Sequence, residues 1–129
     1  MGERPKVLIL EDDMMVARSL RDVLSPLGYE VTGIAATVTD AIRPAENIRP
    51  HLAIVDVKLA GDRDGIEGAM LLRERFGVRA IFLTAKGDQV TAQRAAAVDP
   101  AGFLIKPVKS QDLIQVLHSA ATNIQRSSD

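Results

Sequence analysis

Five short apolar runs punctuate the chain: Lys6–Leu10 (KVLIL), Glu30–Ala35 (EVTGIA), 52–55 (LAIV), 80–83 (AIFL) and 102–105 (GFLI). Each has strand length and is bounded by turn or cap residues. Between them lie stretches with apolar residues at helical spacing, over 16–27, 38–48, 66–76, 89–98 and 112–124. In the first, Val16, Leu20, Val23, Leu24 and Leu27 form one stripe; in the last, Leu113, Val116, Leu117, Ala120 and Ile124 repeat the device. Strands alternating with helices predict a parallel α/β sheet. Three of the strands are apolar almost throughout, as strands covered on both faces are. The second carries Glu30, Thr32 and Gly33, which places it at an edge.

Right-handed crossovers leave few topologies for such a chain. The doubly wound, flavodoxin-like (βα)5 sheet in the order 2-1-3-4-5 puts the polar strand at the edge and opens a crevice at the carboxyl ends of strands 1 and 3. One domain is expected over residues 1–129, with a core of about residues 5–124 and a frayed polar end at 125–129. Thr37, Asp64 and Ser110 stand where N-caps or first-turn acids belong. Pro44, inside the second helix, predicts a kink or a shortening.

The crevice is where polar residues gather. Glu11, Asp12 and Asp13 follow strand 1, Asp56 follows strand 3, Thr84 follows strand 4, and Lys106 with Pro107 follows strand 5, whereas the edge strand ends in Ala35 and Ala36. Carboxylates from two neighbouring strands repel each other unless a hard cation joins them, and clustered oxygen ligands with open water positions suit Mg²⁺. With a cation on one side and the Lys106 ammonium on the other, a phosphoryl group can approach an aspartate despite its own charge. Asp56 is then the nucleophile, with the Thr84 hydroxyl and Lys106 holding phosphoryl oxygens. His51 lies at the opposite end of the sheet and His118 inside the last helix, so both read as surface histidines and any phosphohistidine donor is another protein.

The segments VLILEDD, LAIVDVKL, DGIE, FLTA and GFLIKP, in this order and on these strands, make the chain resemble the receiver domain of bacterial two-component response regulators, in its single-domain, chemotaxis-receiver form. The resemblance covers nearly the whole chain. It implies Asp56 as phosphoacceptor, Asp12 as a direct Mg²⁺ ligand, Glu11 acting through water, and the backbone carbonyl of Lys58 as a further ligand. Asp13 instead starts the first helix. Thr84 and Lys106 match the phosphoryl-sensing hydroxyl and the lysine of this family, Phe103 matches the aromatic switch on strand 5, and the Lys106–Pro107 bond is expected to be cis. The implied partners are a histidine kinase or histidine phosphotransfer protein and an output partner acting in trans on the face of helix 4, strand 5 and helix 5. Homodimerisation through helices 4 and 5 stays open. The loop after Asp56 (VKLAGDRDG) is one residue longer than the commonest version and lacks its proline, and Val108 stands where phenylalanine often follows the Lys-Pro pair.

Composition narrows the alternatives. The chain has no cysteine, which excludes disulfide scaffolds, thiolate zinc sites and cysteine nucleophiles. A net charge of -1 with no dense basic run gives no reason to expect nucleic acid or an anionic membrane as partner. No apolar run approaches the roughly 20 residues of a membrane span, and residues 1–4 lead into strand 1 without a signal-peptide core. A cytoplasmic signalling module is expected, not an enzyme beyond its own self-catalysed phosphorylation and slow dephosphorylation. With no effector domain after Ile124, its output acts in trans, or it serves as a relay or phosphate sink, or it is a fragment. A phosphatase similar to the haloacid dehalogenases would use the same chemistry, but its nucleophile belongs to a DxD motif on the first strand; here Asp56 is on the third, with Lys58 at the second aspartate position. A third reading is a pseudo-receiver that kept the fold and lost the switch.

Overall fold

The computed structural model describes residues 4–85 and 87–128. Strands β1 (Lys6–Leu10), β2 (Glu30–Ala35), β3 (Leu52–Asp56), β4 (Arg79–Ala85) and β5 (Gly102–Lys106) form one sheet in the order β2-β1-β3-β4-β5. Every neighbouring pair is parallel. The intervening helices are α1 (Met14–Leu24), α2 (Val38–Asn47), α3 (Gly65–Phe76), α4 (Gln89–Ala96) and α5 (Ser110–Ser128). The flavodoxin-like topology expected from the alternation of apolar runs is the one observed.

Strand alternation divides the core between the two faces of the sheet. Val7, Ile9, Leu52, Ile54, Ile81, Leu83 and Leu104 pack against Leu20 and Leu24 of α1 and Leu113 and Leu117 of α5. Leu8, Leu10, Ala53, Val55 and Phe82 pack on the other side against Ala41 and Ala45 of α2, Ile66 and Leu72 of α3, and Ala95 of α4. Both faces of β1 and β3 are therefore sealed, and only the strand ends reach solvent.

Several element ends differ from the periodicity, each for a local reason. Helix α1 starts at Met14, two residues before its apolar stripe, because Asp13 caps it by accepting from the backbone N–H groups of Met15 (3.0 Å) and Val16 (3.4 Å). It ends at Leu24, and Ser25–Leu27 tightens into a 3-10 turn closed by Gly28 at φ 93°. Thr37 and Asp64 are N-caps as expected, but Ser110 is the first helical residue of α5. Helix α5 continues to Ser128, through most of the polar end expected to be frayed. Helix α4 stops at Ala96, short of the expected 98. Strands β3, β4 and β5 run past their apolar cores, so that Asp56, Thr84 and Lys106 belong to the sheet and not to loops.

Pro44 stays inside α2, which runs to Asn47 and is neither broken nor much shortened. Its ring sits over Gly33 of β2: a side chain there would meet Pro44 Cβ at 3.3 Å. The β1–β2 register shifts between Val7 and Leu8, leaving Thr32 as the extra residue of a bulge, with its hydroxyl donating to the Val7 carbonyl at 3.4 Å. Gly33 and Pro44 thus form a matched pair on the edge strand and its helix. At the far end of the sheet His51 is half-buried and structural, because its Nδ1 accepts from the Lys6 backbone N–H at 3.0 Å while the His51 backbone N–H donates to the Lys6 carbonyl at 2.9 Å. The turn from α4 into β5 is held by two arginines. Arg73 donates to the carbonyls of Val98 (2.7 Å) and Asp99 (3.3 Å), Arg79 donates to that of Pro100 (3.0 Å), and Asp99 takes a left-handed φ of 53°.

Candidate functional site

Asp56 is the last residue of β3, in register with Leu83 of β4, and only 7% exposed. A central strand with sealed faces fixes its backbone, and two hydrogen bonds fix its carboxylate. The Lys58 backbone N–H donates to Oδ1 at 3.1 Å, an Asx-type turn that folds the following loop back over the strand end. The Lys106 ammonium donates to Oδ2 at 2.8 Å. Lys106 closes β5, two strands away, and the cis Lys106–Pro107 bond expected from the sequence is present.

Glu11 continues β1: its backbone N–H donates to the Ala35 carbonyl at 2.9 Å and its side chain is fully buried. Its Oε1 lies 2.7 Å from Lys106 Nζ, and its Oε2 accepts from the Asp13 backbone N–H at 3.1 Å. Burial pushes the Glu11 carboxyl up to about 7, against the lowering by Lys106 and the Asp13 N–H, with Asp56 raising it further. For Lys106 burial pulls downward, but the bonds to Asp56 and Glu11 outweigh it, and its pKa is raised. One ammonium therefore holds two carboxylates from two different strands.

Asp12 is exposed on the rim of the crevice. One oxygen from each of Glu11, Asp12 and Asp56 lies within 4.8 Å of the others, a spacing at which a single cation can touch all three. Three acids against one lysine leave an excess of negative charge, and a hard divalent ion fits both the charge and the all-oxygen donor set. Asp13 is not among the three; it starts α1 as its N-cap, as the sequence predicts.

Thr84 lies one residue beyond Leu83 on β4, pairs with Ile105 of β5, and is 9% exposed. Its strand is adjacent to that of Asp56, and the Val57 N–H donates to the Leu83 carbonyl at 3.1 Å, tying the two strand ends together. Phe103, on β5, pairs with Phe82, with ring centroids 6.0 Å apart. Phe82 is fully buried while Phe103 is 39% exposed, so the strand-5 aromatic stands in an outward position.

The glycine of the DGIE segment also belongs to the site. Gly65 opens α3 directly against the acceptor: its N–H donates to the Val57 carbonyl at 2.8 Å, and a Cβ there would overlap the backbone carbonyl oxygen of Asp56. The preceding Asp64 caps α3 in a capping box with Glu67 and also pairs with Arg94 of α4 at 3.1 Å. The Asp-Gly step before an apolar run is the signal that carries both. The longer loop between Lys58 and Asp64 is accommodated by a left-handed Gly61, φ 95°, above Thr37.

Among the described residues no helix is long and apolar enough to cross a membrane. The family described as response regulator receiver domain matches residues 7–118. The chain is 32% identical over 93% of its length to the transcriptional regulatory protein PdtaR of Mycobacterium tuberculosis, covering 58% of that protein. It is also 32% identical over 89% of its length to the phyllosphere-induced regulator PhyR of Methylorubrum extorquens, covering 43%. The chain thus spans about half the length of these curated relatives. Among solved structures, the signal receiver domain of a modulated diguanylate cyclase from Desulfovibrio desulfuricans G20 superimposes with a TM-score of 0.87 at 38% identity, covering 96% of this chain and 98% of that one. A receiver domain protein from Methanospirillum hungatei JF-1, described as CheY-like, gives 0.85 at 26% identity, with coverages of 96% and 98%. With the acidic strand ends, the lysine on β5 and the order of the sheet, these matches place the chain in the response-regulator receiver domain family of two-component systems.

Proposed function

We propose that this chain is a phosphoacceptor switch that takes a phosphoryl group onto Asp56 from a histidine kinase or histidine phosphotransfer protein in a Mg²⁺-dependent reaction. The observation that carries this reading is Lys106 Nζ at 2.8 Å from Asp56 Oδ2, with one oxygen each of Glu11, Asp12 and Asp56 near enough together for a single cation to touch all three. Asp12, Asp56 and the backbone carbonyl of Lys58 would hold Mg²⁺, with Glu11 acting through water, and the bound ion would supply positive charge to offset that of a phosphoryl group in an acidic pocket.

The chain's own groups do the rest. Asp56, held by the Lys58 N–H on one oxygen, attacks phosphorus with the other, and the bond to the donor breaks. Lys106 must leave Asp56 Oδ2 for an oxygen of the incoming group, so its ion pair with Glu11 keeps the ammonium in place while it changes partner. The Thr84 hydroxyl donates to another phosphoryl oxygen. As β4 follows, Phe103 turns from its half-exposed position toward the space beside Phe82 and changes the surface of α4, β5 and α5. That surface meets an output partner in trans, and it is also where two copies would pair. The module is cytoplasmic, forms one domain, and has no enzymatic turnover beyond its own phosphorylation and slow dephosphorylation.

The reading is tested by incubating the protein with Mg²⁺ and p-nitrophenyl phosphate or acetyl phosphate. A stoichiometric gain of one phosphoryl group from acetyl phosphate, absent in Asp56→Asn and without continued release of nitrophenol, supports it. Sustained hydrolysis of the ester would favour the dehalogenase-like phosphatase, and no modification by any donor, a histidine kinase included, would favour a pseudo-receiver.

A further inference from the structure

Helix α4 has little apolar surface to hold it. Among its described side chains only Ala95 is fully buried, and one methyl group adds little burial energy. Polar contacts do much of the rest. Past its last turn, Arg73 of α3 and Arg79 of β4 hold the carbonyls of Val98, Asp99 and Pro100, so the chain leaving α4 is a fixed point. Nearer the acceptor, Arg94 of α4 donates to Oδ2 of Asp64 at 3.1 Å. Asp64 is not free to follow α4, because its Oδ1 accepts from the Glu67 backbone N–H at 2.9 Å and fixes it to the first turn of α3. The next residue, Gly65, donates to the Val57 carbonyl at 2.8 Å and lies so close to Asp56 that a Cβ would overlap the acceptor's carbonyl oxygen. The carboxylate that Arg94 grips therefore belongs to the acceptor's own frame, and a swing of α4 about its fixed end must lengthen the pair.

We infer that the Arg94–Asp64 ion pair is an autoinhibitory latch, which holds α4 in its unmodified position and has to break before modification of Asp56 can change the α4 surface. The inference rests on Asp56 being the phosphoacceptor and adds a brake to that switch. The Thr84 hydroxyl, drawn to a phosphoryl oxygen, pulls the end of β4 and with it the start of α4, which follows after a short turn. Arg94 moves with the helix and Asp64 stays with α3. At the start of α4 its N-cap Asp88 is held below the ordinary carboxylate range by hydrogen bonds from Thr91 and, to a smaller degree, by the charge of Lys58. The loop after the acceptor thus faces α4 from both of its ends, Lys58 and Asp64. A contact present in one state only shifts the equilibrium between states by its own worth. For an exposed ion pair that is roughly two- to fivefold in an equilibrium constant.

The test titrates the protein with beryllium fluoride, a phosphoryl mimic, in saturating Mg²⁺, and reads affinity by calorimetry for the wild type, Arg94→Gln, Asp64→Asn and the double variant. Asparagine caps a helix as aspartate does, so Asp64→Asn removes the charge and keeps the cap. Each single variant is expected to bind about two- to fivefold more tightly, and the double variant no more tightly than either, because the same contact is lost in all three. A long-range charge effect would instead act in opposite senses, weakening anion binding when Arg94 is lost and strengthening it when Asp64 is neutralised. In the unmodified protein, amide exchange should quicken across α4 in both single variants and stay unchanged in α3. Affinity unchanged or weakened in either single variant, gains that add in the double variant, or unaltered exchange across α4 overturn the latch alone. A wild type that binds no beryllium fluoride and takes no phosphoryl group from acetyl phosphate or a kinase overturns the acceptor reading, and the latch with it.

Discussion

Lys106 Nζ stands 2.7 Å from Oε1 of the fully buried Glu11, across the sheet from β5 to the end of β1, and from that position also reaches Asp56 at 2.8 Å. A buried carboxylate whose cation is removed must either stay charged at a high cost or take up a proton. Lys106→Met is therefore expected to raise the Glu11 carboxyl above its present value of about 7. The variant should lose more stability at pH 8 than at pH 5, as urea unfolding at the two pH values would reveal. An equal loss at both would mean that Lys106 does not govern Glu11.

The same carboxyl sets a pH dependence with a definite sign. Its ordinary value is 4.5 and burial raises it to about 7 in the fold. The unfolded chain loses this proton first, so the metal-free protein is favoured below pH 4.5 and the contribution disappears as pH rises through about 7. The difference in stability between wild type and Glu11→Gln isolates this contribution, and it should run against the wild type as pH climbs across that window. Millimolar Mg²⁺ should shrink the difference, because a cation beside Glu11 favours its charged form. Denaturant titrations with and without Mg²⁺ measure both effects.

Gly65 is where helix α3 touches the acceptor's own backbone. Gly65→Ala should cost on the order of 1–3 kcal/mol, the range for overpacking a close contact, since a Cβ would overlap the Asp56 carbonyl oxygen. It should also slow phosphorylation by displacing the loop that carries Lys58. Gly87, whose added Cβ would meet no other atom within 4 Å, serves as a control position for the crowding effect, with backbone strain from its φ of 85° as the only expected cost.

Asp12 and Asp13 are adjacent acids with separate duties. Asp12→Asn should weaken Mg²⁺ binding at least about tenfold, as expected for loss of a charged ligand. Asp13→Asn should leave the cap of α1 intact, because asparagine caps as well as aspartate, whereas Asp13→Ala should cost about 1 kcal/mol. Isothermal titration with Mg²⁺ and urea unfolding separate the two residues. A collapse of Mg²⁺ affinity in Asp13→Asn would assign the ligand to the wrong neighbour.

Much of this was legible in the chain because the relevant signals are local. Five apolar runs declare five strands, and the polar residues that follow four of them declare a crevice once the strand order is fixed. Thr37 and Asp64 announce their helices as caps do. What stayed hidden depends on contacts distant in sequence. Nothing local to Glu11 announces that it is fully buried, since its burial comes from the sheet and not from its sequence neighbours. Its pairing with Lys106 spans the sheet. Pro44 looked like a helix breaker because its partner, Gly33, lies on another element and the bulge that seats it needs the β1–β2 register. His51 looked like a surface residue, and only the juxtaposition of β1 and β3 shows that its ring accepts a backbone hydrogen bond. Helix α1 began early because Met14 and Met15, both exposed, lie outside the apolar stripe that marked it.

The most direct measurement is peptide mapping of the protein after exposure to a phosphoryl donor, with and without EDTA. A single added phosphoryl group on Asp56, formed only when Mg²⁺ is present and lost in Asp56→Asn, is the predicted result. Modification at another residue, or equal modification of Asp56 after removal of divalent ions, would contradict it.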